Sequence, residues 1–153
     1  YIALERLEAI YKSCNLVANI CVHAVSSANQ PMAIIIPHEV QLRAYIASNL
    51  KSIDSTAPLA VLSAKEEVQK AVLKECNVVG RKNGFKNMEL LEAVVLTAEE
   101  WTPETGLVTA AQKIQRSRIA KAFHDQILVR VLLVMRLLRV ADWNSVLQVV
   151  YKH

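Results

Sequence analysis

A chain of 153 residues, 53% of them hydrophobic, fits one domain with an ample core and excludes intrinsic disorder. Its 18 Lys and Arg against 14 Asp and Glu leave a net charge of +4, scattered as mixed signs over helix faces, and aromatic residues are only 5%; neither a basic block nor a stacking platform for nucleic acid is present. Cys14, Cys21 and Cys76 have no framework spacing, which excludes a disulfide scaffold and suits reduced thiols in a cytosolic compartment.

The chain opens at Tyr1 directly into the helical spacing Leu4, Leu7, Ile10, Tyr11, without a capping residue, as expected of a segment that begins inside a longer protein; no signal-peptide pattern is seen. A helix is predicted over 4–13, with its leucines and isoleucine inward and Glu5, Arg6, Glu8 and Lys12 outward. Alternation predicts a strand over 17–24, and 26–30 form a polar turn. The continuous apolar run 32–36, between Pro31 and Pro37, is expected of a strand covered on both faces and paired antiparallel with the first. Pro37, His38 and Glu39 open a helix to about residue 48, with Val40, Leu42, Ala44, Tyr45 and Ile46 available for burial. After a loop over 51–58, Ser63 is expected to cap the next helix with Glu66 in the capping-box position. Val68, Ala71, Val72 and Leu73 form its inner stripe, and Gly80 and Gly84 end it. Residues 90–97 are a third strand, 99–106 a loop, and a last helix begins at about Lys113. This order predicts an α+β or mixed α/β fold, a small sheet of about three strands flanked by helices. The stretch 127–141 is apolar but carries Arg130, Arg136 and Arg139, and it is shorter than the ~20 apolar residues a membrane span needs.

The segment 101–116, WTPETGLVTAAQKIQR, carries the most chemistry. Pro103 and Gly106 form turns, Leu107, Val108 and Thr109 favour extended backbone, and Lys113 is thereby delivered onto the first turn of a basic helix, where it can reach into a partner surface. On residue physics alone it reads instead as one more solvated charge among Lys113, Arg116, Arg118 and Lys121, because isolated lysines at helix starts are common.

The wording TGLVTAAQKIQR resembles the closing motif of the adenylate-forming enzymes and looks most like long-chain acyl-CoA synthetases of fungal type. YIALERLEAIYKS, QPMAIIIPHE, ECNVVGRKNGFKNMELLEAVVLT and GLVTAAQKIQR follow in that family's order. The resemblance implies that 1–126 are the C-terminal lid domain, incomplete at its N-terminus, of a long-chain fatty-acid–CoA ligase, which activates fatty acids with ATP through an acyl-adenylate. It also implies that Lys113 is the catalytic lysine, contacting the acyl carboxylate and the ATP phosphate when the lid is closed. A carboxylate attacking phosphorus crowds negative charge, and a compact ammonium on a long stem offsets it. ATP, Mg²⁺ and CoA would be used by the complete enzyme. None is expected to bind this fragment alone, which lacks its N-terminal adenylation domain and is expected to be inactive. Family members work at cytoplasmic faces of endoplasmic reticulum, peroxisome or lipid droplet, and that location is expected here. Two alternatives stand: a non-catalytic interaction or membrane-associating module, and the lid of another acyl or aryl acid–CoA ligase.

The resemblance fades after about 122–127, leaving 127–153 as an apolar helical tail of unknown origin. Arg136 and Arg139 fall at about 240° and 180° around a helix from Arg130, so the three form no single polar face, and a gene-model artefact is favoured over a membrane-touching extension. Elsewhere, Arg81, Lys82 and Lys86 around Gly84 could meet CoA phosphates or simply complement a helix dipole. Residues 80–86 lack P-loop spacing. Cys21 and His23 share a strand face but have no second ligand pair, so a core role is expected rather than zinc. His38 is a helix-start residue and His124 lies on the last helix. Without a GxSxG, HExxH or Cys/His pattern, no hydrolytic activity is expected.

Overall fold

The computed structural model describes residues 3–25 and 28–137. Ser26 and Ser27 of the expected turn, and 138–153 of the expected tail with Arg139, lie outside them.

Helix α1 (Leu4–Tyr11) is followed by β1 (Val17–His23), β2 (Met32–Pro37), α2 (Glu39–Asn49), α3 (Leu59–Ala64), α4 (Glu66–Lys82), β3 (Ala93–Leu96), α5 (Arg116–Ala122) and α6 (His124–Leu137). The mixed α/β architecture with a three-stranded sheet is the one expected. β2 is central, antiparallel to β1 with Cys21 opposite Ile34, and parallel to β3 with Ile34 opposite Val95.

Side chains alternate across a strand, so the sheet sorts its residues between two cores. Ile20, Val22, Ala33, Ile35, Val94 and Leu96 face one way, against Leu7 and Tyr11 of α1, Leu42 and Ile46 of α2, and Val68, Val72 and Cys76 of α4. Cys21, Met32, Ile34, Ala93 and Val95 face the other way, against Trp101, Leu107, Val108, Ile119 and Phe123. Both faces are therefore covered, which is why β2 reads as an unbroken apolar run. Ile127 and Val131 of α6 belong to the second core, so this helix runs continuously across the expected 126/127 boundary.

Several local expectations are corrected. Ser63 does not cap α4; it is buried inside α3, its backbone carbonyl accepting a 2.9 Å bond from the Gln69 side chain, while the extended residue Lys65 is the cap. Gly80 does not end α4. It lies within the helix because Phe85, Leu90 and Tyr11 pack where a side chain would go. Termination falls to Gly84, whose φ of +79° lets the Phe85 amide return to the Gly80 carbonyl and the Gly84 amide to that of Arg81. In α2, Leu42 and Ile46 are buried, but Val40 and Ala44 face solvent because the helix meets the core along a narrow seam. His38 is the helix-start residue expected, its Nδ1 accepting from the Gln41 amide at 3.4 Å.

Candidate functional site

Lys113 sits on a narrow loop on the second face of the sheet. Pro103–Gly106 turns the chain, with Gly106 at φ +76°, and Leu107 and Val108 are then buried in the second core. From there the backbone folds back on itself. The Gln112 amide donates to the Thr109 carbonyl at 2.9 Å, with Gln112 at φ +63°, and the Thr109 amide donates to the Lys113 carbonyl at 2.8 Å. The Lys113 amide donates to Thr109 Oγ1 at 3.1 Å, Val108 bridges Ile114, and the Gln115 amide closes the base on the Leu107 carbonyl at 2.8 Å.

This corrects the expected helical placement of Lys113. Its amide and carbonyl are both committed across the loop to Thr109, and Ile114 is bridged to Val108, so these groups cannot bond along a helix axis. α5 starts only at Arg116. The Lys113 side chain is exposed, and among the described residues it forms no ion pair. It is neither buried against its own core nor bonded to its neighbours, and its ammonium is presented to whatever docks on this face.

Directly after the loop comes a charge pair whose members are 108 residues apart in the chain. Arg116 directs Nη1 and Nη2 at the two carboxylate oxygens of Glu8, the Nη2 bond being 2.9 Å, and Nη1 also donates to the Val22 carbonyl at 2.7 Å. Glu8 Oε2 in turn accepts the Val22 amide at 2.7 Å. The carboxylate holds the guanidinium proton more firmly than usual, against the opposing effect of burial. Glu8, expected to face outward, is instead buried. The signal was present, since Glu8 is four residues after Leu4 and three before Tyr11 and so lies on the helix's inner stripe.

The remaining candidates lie apart from Lys113. Arg81 and Lys82 occupy the last turn of α4, opposite Glu66 and Glu67 in the first, as the helix dipole favours. Lys86 follows them; its amide bonds Glu89 and, with Arg6, holds that carboxyl below its usual range. Cys21 lies in the second core, where burial pushes its thiol up to about 12. His23 borders a cleft of about 360 Å³ with Lys121, His124 and Ile127. All three cysteines are free and buried, and among the described residues no three His, Cys, Asp or Glu side chains group to hold a metal.

Could this chain hold a nucleotide unaided? Lys113 supplies one cation suited to an anionic oxygen, but it borders neither the cleft at His23 nor a second one of about 380 Å³ beside Ser63 and Thr97.

A three-stranded sheet with these flanking helices also occurs in solved adenylation domains. The adenylation domain of carboxylic acid reductase from Segniliparus rugosus, solved with AMP and a co-purified carboxylic acid, matches 82% of this chain with 17% of its own, at a TM-score of 0.66 and 21% identity. No protein-family model matches the chain. In sequence it is 41% identical over 127 residues to long-chain-fatty-acid–CoA ligase 1 of Schizosaccharomyces pombe, covering 83% of this chain and 19% of that protein. It is 37% identical over 129 residues to long-chain-fatty-acid–CoA ligase 1 of Saccharomyces cerevisiae, covering 83% and 18%. Over this stretch the chain is similar to long-chain-fatty-acid–CoA ligases, and it spans about a fifth of the length of these relatives.

Proposed function

We propose that this chain is the lid of an enzyme that activates long-chain fatty acids with ATP and passes them to CoA, and that Lys113 is its adenylation lysine. The observation that carries the reading is the exposed ammonium on a loop tied across itself by the Thr109, Gln112, Lys113 and Gln115 amides. ATP, with Mg²⁺, supplies the electrophilic phosphorus and the leaving group. Lys113 contributes a positive charge where the acyl carboxylate and the α-phosphate oxygens crowd together, and its four-carbon stem lets that charge enter and withdraw with the lid. The neighbouring polypeptide contributes the nucleotide pocket and the acyl tunnel. On the same reading the whole enzyme works at a cytoplasmic membrane face.

The test joins this chain in frame to the preceding part of the S. pombe relative. Lys113→Ala is expected to lower acyl-adenylate formation, read as pyrophosphate exchange with a long-chain fatty acid, by about 10²–10³-fold. Thioester formation from supplied acyl-adenylate should persist. Equal loss in both half-reactions, or no loss in the first, would refute the assignment. The chain without its partner is expected to make no acyl-CoA.

A further inference from the structure

We infer that Glu8 and Arg116 are positioning residues for Lys113, clamping the downstream leg of its loop to the outer edge of the sheet at Val22. This rests on the role proposed above for Lys113. The two legs of the loop are held differently. Leu107 and Val108 fix the upstream leg by burial, at 9% and 3% exposure. Downstream, Ile114 and Gln115 are half-buried, and the first fully buried residue is Ile119. Between Lys113 and Ile119 the firmest attachment is Arg116, three residues after the lysine.

The attachment is directional. Apolar contact resists separation but not rotation, whereas a two-pronged guanidinium–carboxylate pair fixes distance and orientation together. Here the pair also closes a ring on Val22: the carboxylate takes its amide and the guanidinium its carbonyl. β1 is an edge strand, and these are groups that β2 does not pair, so the clamp uses the free edge of the sheet as its reference surface. α1, β1 and the start of α5 are tied at one point. Buried ion pairs are weak sources of stability compared with apolar residues of similar volume. What this one supplies beyond a filled space is the aim of a loop whose tip carries a single exposed ammonium.

Two variants test this. Arg116→Lys keeps the charge and loses the fork. The double substitution Glu8→Gln with Arg116→Met removes the pair without stranding a buried charge, while the carboxamide introduced on α1 can still accept the Val22 amide. In the 153-residue chain itself, hydrogen exchange at the Thr109 and Gln115 amides is expected to quicken about tenfold or more in both, with protection of β2 unchanged. In the fusion described above, both should lower the kcat of acyl-adenylate formation by about 10- to 10²-fold, the scale of an ångström-level misplacement, with thioester formation from supplied acyl-adenylate preserved. Unchanged exchange at Thr109 and Gln115 overturns the clamp, as does equal loss in both half-reactions, which marks a merely structural pair. If Lys113→Ala leaves adenylation intact, the catalytic reading fails, and the exchange measurement still decides whether Arg116 holds the loop.

Discussion

Replacing Arg116 by Met should cost stability, and adding Glu8→Gln should give part of it back. Met keeps much of the apolar stem but removes every donor. Glu8, its side chain 9% exposed, is left with the Val22 amide alone, and the Val22 carbonyl loses its partner. Breaking a fully buried pair by removing one member costs about 3–5 kcal/mol. Arg116 is 28% exposed, so water reaches one side of the pair and the expected cost falls to about 2–3 kcal/mol. In a domain of this size that lowers the melting temperature by roughly 5–10 °C. Glu8→Gln removes the stranded charge while keeping an acceptor for Val22, so the double variant should recover about 1–2 kcal/mol relative to Arg116→Met. Urea unfolding followed by far-ultraviolet circular dichroism measures each corner of the cycle. A double variant no more stable than Arg116→Met, or a single cost under about 0.5 kcal/mol, would show that the carboxylate is solvated and the pair is a surface one.

Gly80→Ala should destabilise by about 1 kcal/mol, because the new Cβ would stand 2.9 Å from Phe85 Cδ2, and the overpacking penalty of about 1–3 kcal/mol exceeds the helix-propensity gain. Gly84→Ala should cost about as much for another reason: nothing lies within 4 Å, but φ is +79°. Phe85→Leu is therefore expected to relieve the first in urea unfolding and not the second. Stability should also fall in alkali. Burial, the largest cause, raises the Cys21 thiol from 9.0 to about 12, so its contribution is fully present below about 9, where it is protonated folded or unfolded, and is lost as pH climbs toward 12 and only the unfolded chain ionises. Tyr11, raised mainly by burial, acts in the same direction. Cys21→Ala should flatten the fall of the urea midpoint across this window, and an identical slope would dismiss the thiol as a cause.

How much of this was legible in the residues depends on the range of the forces involved. The run Met32–Ile36 announced a central strand because a strand covered on both faces has no polar side to show. The stripe Val68, Val72 with Ala71 announced α4 by its spacing, and the turn residues Pro103 and Gly106 fell where the chain turns. Ser63 and Gly80 misled because propensity is a local preference that packing overrides: a serine followed by a glutamate three residues on suits a cap, yet α3 claims it, and a glycine suits a helix end, yet Phe85 needs the room. The Glu8–Arg116 pair was out of reach on one side only. Its members are 108 residues apart, but Glu8 occupied an inner helical position that its charge alone argued against.

The difference between a lysine in a first helical turn and one three residues before it bears on the chemistry. A cation in the first turn faces the positive end of the helix dipole, and α5 has no acidic residue of its own there to offset it. The chain puts Arg116 in that position instead and neutralises it with a carboxylate brought from α1. Lys113 is left outside the turn, on backbone whose hydrogen bonds are satisfied across the loop. Its charge is not committed to folding, so an approaching anion has no internal partner to displace before meeting the amine. A cation that served its own domain's stability would have to break that contact each time an anion approached; one held by its backbone alone does not.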